Sequence, residues 1–173
     1  MAVKVRFLVC VAIAASSWAP FVAAQSRQTV NVPAEIVRQL EGRGAAVRLI
    51  AYAVELNGDR NSEFIVTGQY GIGGICGANN CLHWIFSSDP RDRTYRLLLD
   101  AGAVQSVVAQ SASNHGYRNI VTTAHASAFD HVLRTYWFDG TEYRLHQCIE
   151  RHAKIDDDSP RANNSPRVTE EPC

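Results

Sequence analysis

From Ala45 onward the apolar residues recur every second position, and the pattern is cut at short intervals by turn-forming pairs. A period of two sends successive side chains to opposite faces of an extended chain, so this stretch is committed to strands. The strands expected are 47–56, 63–70 with Phe64, Ile65 and Val66, 82–87, 94–99, 104–109, 117–123, 132–138 and 142–147. Asn57-Gly58 and Asp139-Gly140 read as tight hairpin turns, Asp89-Pro90 as a further turn, and 71–80 as a glycine-rich loop. Ahead of the strands, Pro33 stands where a helix can begin, and Ala34 to Leu40 place Ile36, Val37 and Leu40 on one side. Gly42 or Gly44 stops that helix, which is expected to cover one face of a sheet.

Residues 57–98 echo residues 113–145. "RNSEFIVTG" is matched by "GYRNIVTTA", and "HWIFSSDPRDRTYRLL" by "TYWFDGTEYRLH". Ile65 and Ile120 are 55 positions apart, Phe86 and Phe138 52, Tyr95 and Tyr143 48, so the second copy has the shorter loops. Trp84 and Phe86 are expected to share one face of their strand, Tyr136 and Phe138 the corresponding face. Two units fall short of the roughly four blades of a closed propeller. The fold expected is therefore α+β and β-rich: a strongly bent antiparallel sheet or partial barrel from two meander units, with one short N-terminal helix.

The first residues, MAVKVRFLVCVAIAASSWAPFVAAQS, carry Lys4 and Arg6, an apolar run over 7–15, and small residues up to Ala24. This is the pattern of a secretory signal peptide over 1–24 cleaved near Ala24, and it places the protein in the periplasm or outside the cell. The run is shorter than the roughly 20 residues a membrane span needs. Cys10 lies early in it and is read as a leader residue that is discarded. A polar leader over 25–33, a single β-rich domain over 34–150 and a flexible acidic tail over 151–173 complete the expected organisation. Beyond Ala24 stand 15 basic against 17 acidic residues, with Asp156 to Asp158 and Glu170-Glu171 near the end. No basic stripe is visible, which argues against nucleic acid as a partner.

Four cysteines follow the leader: Cys76, Cys81, Cys148 and Cys173. An even count in an exported chain reads as a disulfide framework, and loop-closure entropy favours near neighbours, Cys76 with Cys81 and Cys148 with Cys173. Whether Cys173 pairs within the chain or between chains is open at this point. Zinc would want a second close pair of ligands, with only His83 near the first. Redox chemistry would want Cys-x-x-Cys opening a helix. A staple across "CGANNC" contributes on the order of 2 kcal/mol by constraining the unfolded chain. The stapled loop is a candidate binding loop, with Tyr70, Gly77, Asn79 and Asn80 as its contact residues.

Glu55, Asn57, Asp59 and Glu63 offer oxygen at the alternating spacing calcium requires, and the stretch resembles the calcium loops of FG-GAP-type repeats. Glu55 replaces the usual first aspartate and Arg60 stands where glycine would permit the sharp turn, so no metal and no cofactor is expected. His125, Asp130 and His131 lie close together in sequence, but no nucleophile elbow, HExxH or phosphate loop accompanies them, and Ser127 is not in a Gly-x-Ser-x-Gly context. The combination of ELNGDRNSEFIV, CGANNC before WIF, YRLLLDAG and YWFDGTEYRL resembles small exported bacterial proteins of uncharacterised function, over most of residues 50–147. That resemblance implies export and architecture and brings no activity.

With no assembled catalytic set, a binding module is expected: an inhibitor or partner-recognition protein whose partner is a protein, such as an envelope enzyme or toxin, or another cell-envelope component. A small envelope hydrolase using His125, Asp130 and His131 is the second expectation. A calcium-stabilised structural module is the third.

Overall fold

The computed structural model describes residues 28–42, 48–69, 76–77, 79–89, 94–154 and 167–173. The expected signal peptide over 1–24 and Tyr70 lie outside the described residues.

Among the described residues ten strands form two five-stranded antiparallel meanders. The first sheet runs in the order β1 (Gln28–Val30), β2 (Leu49–Val54), β3 (Glu63–Gly68), β4 (Cys81–Asp89), β5 (Thr94–Val104). The second has the order β10 (Arg167–Pro172), β9 (Tyr143–Lys154), β8 (Asp130–Phe138), β7 (Tyr117–His125), β6 (Ser106–Asn114). The β-rich class and the two meanders match expectation. Among the described residues the strands are divided between two sheets that are not closed into a barrel. The chain passes between them at Gln105, the one residue separating β5 from β6, whose amide donates to the Thr123 carbonyl at 2.7 Å. Just before that corner, β5 carries an unpaired Ala101 between Asp100 and Gly102, and Gly102 takes the left-handed φ of 68° that such a bulge demands.

Two apolar clusters follow from the strand alternation. One lies between the sheets and takes Leu56, Ile65, Ile85, Leu98, Val104, Val107 and Ile120 together with Tyr136, Phe138 and Tyr143. The other lies on the outer face of the first sheet, where Ala51, Val66, Trp84 and Phe86 meet Ile36 and Leu40. These last two come from α1 (Ala34–Glu41), which starts at Pro33, whose carbonyl takes the Val37 amide at 3.1 Å, and ends at Gly42. Ile36 and Leu40 are fully buried, and the Gln39 amide donates to the Tyr95 carbonyl at 2.9 Å, pinning the helix to β5. The helix thus covers a sheet face, as the sequence suggests.

Trp84 and Phe86 do share a face, and so do Tyr136 and Phe138, but the two faces are not equivalent: the first pair packs under α1 and the second between the sheets. The reason is a slip of one. Ile65 pairs with Ile85, and its counterpart Ile120 pairs with Tyr136. The residue that matches Phe86 is therefore Trp137 and not Phe138. A shift of one residue exchanges the two faces of a strand.

The C-terminal segment departs from expectation as well. Residues 151–154 continue β9, and β10 pairs with it from Arg167↔Lys154 to Pro172↔Ile149. The Cys148–Cys173 disulfide, with Cα atoms 5.3 Å apart, and the ion pair of Arg151 with Glu170 at 2.7 Å hold that strand where apolar content does not. The polar leader likewise holds a strand, β1, paired to β2.

Candidate functional site

The stapled loop is built as the cysteine spacing implies. Cys76 and Cys81 face each other across a β-bridge and their sulfurs are bonded at 2.03 Å, with the Gly77 amide donating to the Asn80 carbonyl at 2.7 Å. Of the tip residues named from sequence, Gly77 and Asn79 are exposed. Asn80 is turned into the molecule. Its side-chain amide donates to the His125 carbonyl at 2.9 Å and its oxygen accepts the His125 amide at 3.0 Å, a pattern that imitates one rung of a sheet. Asn80 is thereby a clamp between the two sheets, and it closes one side of a shallow hollow of about 220 Å³ lined by Gly77, Asn79, His125, Ala126 and Ser127.

The structure splits the His125, Asp130 and His131 set. His125 and His131 stand opposite each other on β7 and β8, with ring centroids 4.3 Å apart. The Asp130 carboxylate is engaged elsewhere: it accepts from the Ser127 hydroxyl at 2.6 Å and from His152 Nδ1 at 2.9 Å. The Ser127 hydroxyl also takes the Phe129 and Asp130 amides, both at 3.1 Å, which is the work of a turn residue. In a serine nucleophile the imidazole sits between hydroxyl and carboxylate; here the carboxylate is in the middle. The serine hydroxyl and the histidine together hold the Asp130 carboxyl below its ordinary range, and the carboxylate in turn raises His152.

The 55–63 loop is the polar junction at the opposite end of the interface. Glu55 accepts the Asn57 and Gly58 amides at 3.2 and 2.7 Å, Asn57 accepts the Asp59 amide at 3.0 Å, and Asp59 accepts the Asn61 amide at 2.7 Å. This last bond holds the Asp59 carboxyl below its ordinary range. Arg60 adopts a φ of 68°, the left-handed conformation in the place where glycine was noted to be missing. Glu63 is a core residue, with 1% of its surface exposed and its carboxylate accepting the Leu56 amide at 2.8 Å. Burial, with further help from the charges of Glu55 and Asp59, raises its pKa to about 7 against the pull of that amide. Asn57 reaches across to the Tyr117 hydroxyl at 3.0 Å, and the Arg118 amide donates to the Leu56 carbonyl at 2.7 Å, joining the sheets here. Tyr143, buried against the same junction, donates to the Arg118 carbonyl at 2.8 Å, and burial raises its phenol well above the ordinary value. Among the described residues no group of three or more His, Cys, Asp or Glu side chains is arranged to hold a metal ion.

A further surface lies on the outer face of the second sheet, and sequence reasoning missed it. The row Ala51–Val66–Trp84 of the first sheet lies under α1; among the described residues the equivalent row Val108–Val121–Thr135 has no helix over it. Val108 is 48% exposed and Trp137 39%. The Trp137 indole is stacked on the His146 ring, centroids 3.2 Å apart and planes 14° from parallel. Directly opposite Trp137 in the register lies Arg144, which pairs with Asp139 at 3.1 Å and Glu142 at 2.6 Å, while Leu145, 56% exposed, stands opposite Tyr136 on the other face. The Glu142 and Thr141 amides and Arg144 hold the Asp139 carboxyl down at about 2. A hollow of about 240 Å³ opens here, bordered by Asn114 and by His115, which turns the β6–β7 hairpin at a φ of 47°. The signal that would have found this surface is Trp137 itself, once the echo is aligned by strand pairing instead of by matching aromatic letters.

Compared with known proteins, the chain matches no family model, no curated protein and no solved structure.

Proposed function

We propose that this protein is an exported binding module, working in the periplasm or outside the cell, and that it recognises a protein or other envelope component, in the manner of an inhibitor or a recognition partner for an envelope enzyme or toxin. One observation carries the reading. Trp137 occupies the position that in the first sheet is filled by Phe86 beneath α1, yet it stands open beside Arg144 and His146. Tryptophan and arginine are the residues on which interfaces concentrate their binding energy, and an apolar face rimmed by polar groups is a usual partner site. Export is supported by the two disulfides, which persist in oxidising compartments, and among the described residues no helix is long and apolar enough to cross a membrane.

The stapled loop supports the same reading as a rigid rim, with Gly77 and Asn79 outward and Asn80 anchored. The test is capture from an envelope extract by the purified protein, by Trp137→Ala and by Asn79→Ala. The reading expects a specific partner for the parent chain, retained by Asn79→Ala in large part and lost by at least about tenfold in Trp137→Ala, as for a central interface tryptophan. A partner captured equally by Trp137→Ala would overturn it.

A further inference from the structure

At the end of the open face away from Trp137, strand register sets His125 of β7 directly opposite His131 of β8, with ring planes inclined by 49°. Both Nδ1 atoms are withdrawn from solvent and neither has a hydrogen-bond partner among the described residues. A buried polar atom left unpaired costs on the order of 1–3 kcal/mol, and two such atoms in touching rings call for an explanation. A neutral imidazole holds one N–H and one lone pair. With the proton on Nε2, each Nδ1 keeps a lone pair that no described residue engages, and one cation bound by both rings satisfies the two at once.

Where both Nδ1 atoms bind the same ion, the spacing fits one kind of cation better than another. Two imidazoles bound to one ion through nitrogens about 2.0 Å away place their ring centroids roughly 4.5 Å apart at a right angle, and roughly 5.1 Å apart at the tetrahedral angle of zinc. The observed separation is 4.3 Å. Right-angled nitrogen donors are the geometry of tetragonal Cu2+, which also heads the affinity order for such ligands.

We infer that His125 and His131 form a two-histidine site for Cu2+, with water completing the coordination. The support is prearranged: Asn80 fixes the His125 backbone through two hydrogen bonds, and the Cys76–Cys81 staple fixes Asn80. Arg151 lies next to His131 in the register, and Glu170 engages its guanidinium at 2.7 Å, which offsets the repulsion it would exert on the ion. His152 is committed to Asp130 at 2.9 Å and is not a ligand. With two protein ligands the affinity is modest.

The experiment is a Cu2+ titration of the disulfide-intact chain followed by electron paramagnetic resonance. The expected result is one tetragonal copper per chain with hyperfine coupling to two imidazole nitrogens, weakened at least about tenfold in His125→Asn and in His131→Asn, and unchanged in His115→Asn and His146→Asn. Independently of any variant, substoichiometric Cu2+ should broaden the NMR signals of the His125 and His131 imidazoles before those of the other histidines. Copper that binds the His125→Asn and His131→Asn chains like the parent, or that broadens other histidines first, overturns the inference, as does failure to bind one equivalent.

Discussion

Phe86 and Trp137 hold equivalent places in two sheets of like register, and their surroundings differ in one respect. Phe86 is 1% exposed because α1 lies across its face; Trp137 is 39% exposed, with His146 against its ring and, among the described residues, no helix above. Strand pairing settles which residues share a face. It does not settle whether that face is wet. The cover of the first sheet comes from one short amphipathic helix with two anchors, Ile36 and Leu40, and the second unit has no preceding segment of that kind among the described residues.

A matched pair of truncations should separate the two faces. Phe86→Ala should cost about 3–5 kcal/mol in urea unfolding, the usual range for a buried aromatic, whereas Trp137→Ala should cost under about 1 kcal/mol. Equal costs would mean that the second face is packed after all. Leu40→Ala, which removes one helix anchor, should cost about 2–4 kcal/mol and raise the exposure of Trp84 to acrylamide quenching. If Trp84 stays unquenched, α1 is not what seals that face.

The polar junction gives a pH-dependent test at the interface both sheets share. Glu63 keeps its proton to about pH 7 in the folded chain, against 4.5 for an ordinary glutamate. Below the lower value both states are protonated and the full stability is present; between the two the unfolded chain releases the proton first, so stability falls as pH rises through about 7. Glu63→Gln should remove that slope and gain on the order of 2 kcal/mol relative to the parent on going from pH 4.5 to 8. A parallel pH dependence in both proteins would show that Glu63 does not titrate in this range. Smaller still, Asn80→Ala should lose about 1–2 kcal/mol for its two bonds to His125, read as a lowered melting temperature and faster amide exchange at His125. Unchanged exchange there would mean that the clamp does not hold the loop.

Much of this was legible in the sequence. Period-two alternation located all eight strands expected between 47 and 147, Pro33 and Gly42 bounded the helix, and the near-neighbour rule gave both disulfides. Boundaries ran short where strands continue past their apolar residues, as in β6 through Ser111 to Asn114 and β9 to Lys154. The last strand escaped notice because a disulfide and an ion pair hold it, neither of which has a hydrophobic period. Asn80 looked like a tip residue because its partner is 45 positions away, and Glu63 looked like a ligand because nothing in the letter reveals a buried carboxyl. The open face was hidden by a matching of aromatics that was off by one, the smallest error that exchanges inside for outside.

Trp84 and Trp137 offer the most direct reading of the account, since one lies sealed and the other open in otherwise equivalent sheets. Fluorine NMR of the 5-fluorotryptophan-labelled protein, recorded while the captured envelope component is added, reports on both at once. The Trp137 resonance should shift and lose its solvent-induced isotope effect while the Trp84 resonance stays in place. A component that binds and leaves Trp137 unmoved would contradict this.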